Sequence, residues 1–204
     1  MSKINLRLSI FIVLLSTVAC GYSQQDTSLS SLSQSDLSPL EKFENTLQGS
    51  WNRPCLFDAN NGYYKEALAF AGLNGSFAIV TKDFFYSDAN CTALALIKTV
   101  SLTVLDINPN GAGWTYSATV AGQSWAPQTA QSAASLNSSH ACGYSQWVAG
   151  LTTDTTNSGC NSTGTFLDTL YLTNGNLFRA LDEVTNPNVV SGTIPQGSPY
   201  TRQF

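Results

Sequence analysis

Charge is scarce in this sequence. Charged residues make up 11% of its 204 positions, against about 25% in ordinary soluble domains. The formal net charge is −4 and no cluster of Lys or Arg interrupts the chain, which excludes the electrostatic footprint of a nucleic-acid-binding protein. Histidine is scarcer still, since His140 is the only one. A Ser–His–Asp or Cys–His site needs a histidine oriented by a third group. His140 instead lies in the polar run Asn137-Ser138-Ser139-His140-Ala141-Cys142, which reads as a surface loop. No CxxC pair is present, so a zinc site lacks its ligands. No Gly-rich phosphate loop, HExxH or EF-hand pattern occurs either. The carboxylates are scattered singly, most of them in turns such as Asp88 and Asp106. None forms a pair at a spacing that suggests glycoside hydrolysis. These absences lead us to expect a protein that is not an enzyme and carries no cofactor.

Long hydrophobic runs are missing too, with one exception. Lys3 and Arg7 precede the apolar stretch Leu8–Ala19. A short basic region followed by an apolar run of this length is a secretory signal, and the run is too short to span a bilayer comfortably. We assign residues 1–19 to it. Residues 20–38 are rich in Ser and Gln with few large apolar side chains. Such a segment cannot bury enough apolar surface to offset its ordering entropy, and is expected to be a flexible tether. The folded domain then covers residues 39–204, a length suited to one domain.

The signal ends at Thr17-Val18-Ala19-Cys20-Gly21. This resembles the lipobox of bacterial lipoproteins, in which small residues precede a Cys that becomes the lipidated N-terminus. The resemblance implies that Cys20 carries the lipid, palmitate included, and anchors the chain to a membrane. Gly21 is not the Asp that signals inner-membrane retention in such proteins, so the resemblance implies the outer membrane. Ordinary cleavage nearby, giving a secreted protein, is the alternative.

Four further cysteines remain: Cys55, Cys91, Cys142 and Cys160. An even number in an exported chain points to two disulfides, with three possible connectivities.

Between them the domain is a series of short alternating runs split by turn signals. The runs are Leu47–Pro54, Tyr63–Ala71, Ser76–Tyr86, Thr92–Ile107 and Trp114–Ala121. Gly164–Thr173 and Asn176–Glu183 follow, flanking Asn174-Gly175, and that dipeptide between alternating runs is the strongest short-range hairpin signal. A last strand is expected near Tyr200–Gln203. Many short strands with Gly- and Asn-rich turns argue an all-β fold. Consecutive hairpins argue a meander, and closing it into a barrel removes its edges. We expect an antiparallel up-and-down eight-stranded barrel with one long loop containing a short helix; a sandwich is the alternative.

The cysteines bear on that topology. Taking the end of the first strand as the top, the meander brings Cys55 and Cys91 to the top together, so their bond is geometrically natural. If Tyr144–Thr153 crossed the barrel as a strand, at roughly 3.3 Å per residue, Cys142 and Cys160 would lie too far apart to bond. Either they are not bonded or the segment does not cross. We prefer the second. Residues 123–161 then form a long excursion at the top, with a short helix over Gln128–Leu136, and such a loop is a candidate lid.

Gly49-Ser50-Trp51 in the first strand resembles the GxW motif of lipocalins and related calycin barrels. In that family a basic residue near the end of the barrel packs over the Trp, a part the resemblance assigns to Arg202. Trp51, Cys55, the Tyr86-Ser87-Asp88 turn and Cys91 also resemble a group of small lipocalin-like bacterial lipoproteins.

An eight-stranded barrel either packs solid or holds one small ligand. Phe70, Phe85, Trp114, Tyr116 and Phe166 are the aromatic candidates to line such a cup, or else simply core. Lys82, Asp83, Lys98 and Arg179 interrupt apolar stretches and are expected to mark outward faces; an inward one implies a polar ligand or an internal network. Trp125 and Trp147 flank the excursion and are expected to pack it onto the barrel. The leading expectation is therefore a membrane-anchored barrel that binds a small, mostly apolar ligand. The alternative is a surface lipoprotein whose solid barrel presents the 123–161 loop to a protein or carbohydrate.

Overall fold

The computed structural model describes residues 37–59, 61–73, 76–111, 113–160, 164–179 and 198–203. The signal, Cys20, all but the last residues of the tether, and the run beyond Arg179 lie outside the described residues.

The first element is a helix, α1 (Pro39–Leu47). It begins at a capping box: the Ser38 side chain accepts from the Glu41 backbone N–H, and the Glu41 carboxylate accepts from the Ser38 N–H. Pro39 occupies the first turn, where its fixed φ suits the helix and its missing N–H costs nothing. The sequence reading placed no element here and gave Leu47 to the first strand. The correction is physical. Phe43 and Leu47 lie four residues apart on one helical face, and both are fully buried.

Eight strands make the barrel wall: β1 (Gly49–Asn52), β3 (Gly62–Leu73), β4 (Ser76–Tyr86), β5 (Leu94–Asn110), β6 (Gly113–Pro127), β8 (Thr165–Thr173), β9 (Asn176–Arg179) and β10 (Thr201–Gln203). Two short ones flank the wall, β2 (Leu56–Asp58) on β3 and β7 (Thr153–Asp154) on β6. All pairings are antiparallel, in the order β10-β1-β3-β4-β5-β6-β8-β9. The two ends of that path meet at one bridge, Leu177 with Tyr200. The result is an up-and-down barrel with one seam left unsealed by a continuous ladder among the described residues. Asn174 and Gly175 have φ of 52° and 76°, the two positive values that a tight I′ hairpin demands. At Gly113 the β6 backbone passes so close to β8 that a Cβ would sit 2.0 Å from the Leu170 carbonyl oxygen; only glycine fits there.

Both disulfides are present. Cys55–Cys91 joins the exit of β1 to the β4–β5 connection, with Cα atoms 5.9 Å apart. Cys142–Cys160 closes the excursion on itself, with Cα atoms 4.7 Å apart. They suit an oxidising compartment outside the cytoplasm. The excursion does not cross the barrel. It contains α2 (Ala130–Ser138), capped by Thr129, and a 3-10 turn at Ala141–Gly143, then returns as β7. No helix among the described residues is long and apolar enough to cross a membrane.

The main core fills the lower part of the barrel, away from the Cys55–Cys91 bond. Phe43 reaches up from α1 and meets Phe70, Phe77, Trp114 and Tyr116 at ring-centre distances between 4.9 and 6.3 Å. Trp51 is buried, its indole N–H donating to the Leu47 carbonyl at 2.9 Å. The Arg202 guanidinium lies over its ring, 5.3 Å from the centre, and also donates to the Gln48 carbonyl. A second, smaller cluster holds the excursion together. Trp147 is buried there against Ala133 and the Cys142–Cys160 bond, with Trp125 beneath it at 6.0 Å.

Candidate functional site

Strand alternation decides what faces the barrel interior. On β3 the buried positions are Glu66, Leu68 and Phe70; on β4 they are Phe77, Ile79 and Thr81. Glu66 thus faces inward with the apolar residues, and Asp83, two beyond Thr81, follows them. On β5, Lys98 stands directly opposite Asp83 and shares its face. Asp168 on β8 is wholly buried, between the inward Phe166 and Leu170. Of the charges expected outside, only Lys82 is exposed. Asp83, Lys98 and Arg179 turn inward instead. Two consecutive charged residues in a strand point to opposite sides, so Lys82 and Asp83 could not both face water.

Four of the inward charges form a network at mid-height. The Arg179 Nε donates to Asp168 Oδ2 at 2.5 Å, and its Nη1 donates to Glu66 Oε1 at 2.8 Å. Arg53, just past β1, donates from Nη1 to Glu66 Oε2 at 3.1 Å and from Nε to the Ser198 carbonyl at 3.0 Å. Asp168 also accepts from the Tyr116 hydroxyl at 2.7 Å and from the Thr169 N–H at 2.8 Å. The Arg53 guanidinium rests over the Tyr200 ring, 4.8 Å from its centre. Each side chain here has charge-assisted partners, which is what allows burial of charge at all. Burial works against the charged form of Arg179. Asp168, Tyr116 and Glu66 outweigh it and hold the guanidinium's affinity for its proton well above the ordinary value. Burial pushes the phenols of Tyr116 and Tyr200 far up, so both stay neutral.

Beside this network, bordered by its Glu66 and Arg179, the interior is hollow. A cavity of about 370 Å³ is lined by Glu66, Thr81, Asp83, Gln123 and Arg179 on its polar side, and by Val100, Leu102, Val120 and Phe166 on its apolar side. Asp83 differs from the other acids. Among the described residues no donor hydrogen-bonds its carboxylate and no cation comes within ion-pair distance. Burial, and then the neighbouring charge of Glu66, push its pKa up to about 6, against the pull of Arg179 and Lys98. The Lys98 ammonium is turned instead onto two rings, 4.3 Å from the centre of Trp125 and 4.8 Å from that of Phe85. Its burial lowers its pKa. Phe85 in turn stacks with Tyr64 at 6.3 Å. These aromatics form the upper rim, and Trp147 from the excursion packs on Trp125.

No family model matches the sequence, and no curated protein shows significant similarity to it. The eight-stranded, nearly closed antiparallel barrel is compatible with a calycin-like fold.

The aromatic residues singled out in the sequence are spread over three levels. Phe70, Trp114 and Tyr116 pack around Phe43 in the lower core. Phe85 stands at the rim, and Phe166 alone of the five lines the cavity. Trp51 and Arg202 close the lower end of the barrel, with Gly49 (φ 114°) beneath the Arg202 side chain. His140 is exposed on the turn after α2, away from the network. The scattered acids, in contrast, converge: Glu66, Asp83 and Asp168 come from three strands into one interior. Their signal was legible, because Glu66 alternates with Tyr64, Leu68 and Phe70, and Asp168 alternates with Phe166 and Leu170. Among the described residues no three His, Cys, Asp or Glu side chains form a metal-binding group.

Proposed function

We propose that this chain is an exported, lipid-anchored, lipocalin-like binding protein, not an enzyme, whose barrel takes one small ligand with a mostly apolar body. The observation that carries this reading is the cavity of about 370 Å³ bordered by the ionic network. It falls within the range of roughly 300–1,000 Å³ usual for ligand pockets, and its mix of apolar walls with a few convergent polar groups is typical of them. The two disulfides support the export part of the reading, and the Thr17-Val18-Ala19-Cys20 sequence supports the anchor at Cys20. Native mass spectrometry of the protein purified from its source is the test. We expect a bound mass that Val120→Trp removes by filling the cavity. A ligand-free wild-type protein that also takes up nothing from a panel of small amphiphiles ends the reading. The anchor is checked separately: Cys20→Ser abolishes the acylated N-terminal peptide if Cys20 carries the lipid.

The rival is a platform that presents residues 123–161 to a partner. Val148 and Leu151 on the excursion are 52% and 60% exposed, which favours it. The packing of Trp147 and Trp125 against each other removes the most adhesive side chains from that surface. Deleting the exposed apolar character with Val148→Ser and Leu151→Ser leaves small-molecule binding intact under the first reading and abolishes the biological role under the second.

A further inference from the structure

We propose that the upper cavity selects a ligand bearing a protonated amine, held by the Asp83 carboxylate, with its apolar body against Val100, Val120 and Phe166. This rests on the reading of the barrel as a ligand cup and names the chemistry of what it takes.

The argument is one of charge and hydrogen-bond valence within a single cavity. Glu66 and Asp168 carry two negative charges, and Arg179 and Arg53 carry two positive ones, joined by three ion pairs. That set is neutral and its named donors are engaged, Arg53 Nε on the Ser198 carbonyl and the others within the set. Lys98, opposite Asp83 in the register, balances its charge at a distance, but its ammonium rests on the faces of Phe85 and Trp125 and makes no ion pair with it. Asp83 is the member left over: it lines the cavity, and no described donor or cation pairs with it. Its raised pKa of about 6 still leaves it ionised at neutral pH. A partly buried carboxylate without a partner is costly, and a cationic ligand relieves that cost where a neutral or anionic one does not.

The remaining polar groups of the cavity point the same way. The Gln123 amide nitrogen donates outward to the Cys160 carbonyl at 3.2 Å, so its oxygen is the end left to accept. Thr81, buried two positions from Asp83, offers a hydroxyl. The acceptors are therefore spare while Arg179 Nε and Nη1 are occupied, which is the complement of an ammonium with its three donors. An anionic ligand would meet Asp83 and Glu66, and the one cation lining the cavity, Arg179, already shares its charge with Asp168 and Glu66.

Three probes of equal chain length separate the cases: 1-hexylamine, 1-hexanol and hexanoate, titrated calorimetrically into the exported, oxidised chain at neutral pH. We expect hexylamine to bind at least about tenfold tighter than hexanol, the increment of a hydrogen bond to a charged group, and hexanoate to bind weakest. Asp83→Asn brings hexylamine down to the affinity of hexanol and leaves hexanol unchanged, and hexanol binding itself certifies that the variant is folded. Hexanoate or hexanol binding as tightly as hexylamine overturns the amine assignment and leaves the cup standing. If none of the three binds at about 10 mM, where even a contribution of a few kcal/mol would register, the cup and the amine assignment fall together. The wild-type comparison decides the matter even if the variant does not fold.

Discussion

The half of the barrel closed by α1 and the half beside the Cys55–Cys91 bond are built from the same strands, yet they bury opposite chemistries. Below, Phe43 of the helix meets Phe70 and Phe77 edge to face, those two rings stack on each other, and Trp51 is buried in the same core. Above, the same strands carry Glu66, Asp83, Lys98, Asp168 and Arg179 on their inner faces, and a cavity remains. The lower half is ordinary close packing, in which dispersion and burial do the stabilising. The upper half replaces packing with paired charge, which rarely adds net stability relative to an apolar core. A fold that needed only to be stable would have continued the lower pattern upward. Close packing and paired charge around a cavity occupy different ends of one β-barrel.

That contrast is breakable, and the largest effect is expected in the network. Arg179→Met leaves Asp168 and Glu66 buried with a missing partner, and we expect a loss of about 4 kcal/mol in urea unfolding, the scale of a broken buried ion pair. Phe43→Ala tests the lower half. A cavity in the centre of the aromatic cluster is expected to cost about 3 kcal/mol, measured the same way, while ligand binding in the upper cavity stays unchanged in the folded fraction.

Asp83→Asn is expected to act in the opposite direction, with a gain of about 1–2 kcal/mol at pH 7.5. The pH dependence gives the sign. The folded carboxyl takes up its proton at about 6 and the unfolded one near 3.8. Between these values the folded chain holds more protons, so stability falls as pH rises from about 4 to about 6. Glu66, Arg179 and Lys98 are the charges facing it across that window. Urea titrations at several pH values are expected to show the Asp83 contribution to this slope in the wild type and to lose it in the variant. A wild-type protein with no such component contradicts an unpartnered Asp83. Ser38→Ala is the mildest change: loss of the α1 cap is expected to cost about 1 kcal/mol, visible as a small drop in Tm.

Much of the architecture was legible because its signals are local. Asn174-Gly175 requires two positive φ values, and only one kind of turn supplies them between strands. The parity of the strands and the reach of Cys55 and Cys91 follow from direction reversal at each hairpin. The Ala- and Gln-rich Gln128–Leu136 reads as a short helix, and the helix forms two residues further on, over Ala130–Ser138. α1 was equally local, since Ser38-Pro39-Leu40-Glu41 is a capping box with Pro in the first turn. It was obscured because the Ser-rich run before it has the composition of a tether, and the boundary between the two falls at Ser38 itself. The site was harder to read. Each acid alone looks like a surface residue, and only the register that sets Glu66 opposite Asp83, and Asp83 opposite Lys98, brings them together. Pairing across strands is long-range information, and an unaligned single sequence carries it only as alternation.

The bridge between Leu177 and Tyr200 has a consequence for how the wall is held in a circle. Two backbone hydrogen bonds, at 3.0 and 2.7 Å, join those residues. At that height the circumference is completed by side chains: Arg179 leaves β9 and grips Glu66 on β3, and Arg53 grips the same carboxylate from beyond β1. The guanidinium–carboxylate clasp works as a hoop around staves whose backbones, among the described residues, join at that one bridge. The charges that shape the floor of the cavity therefore also set its diameter, and any change to one is a change to the other.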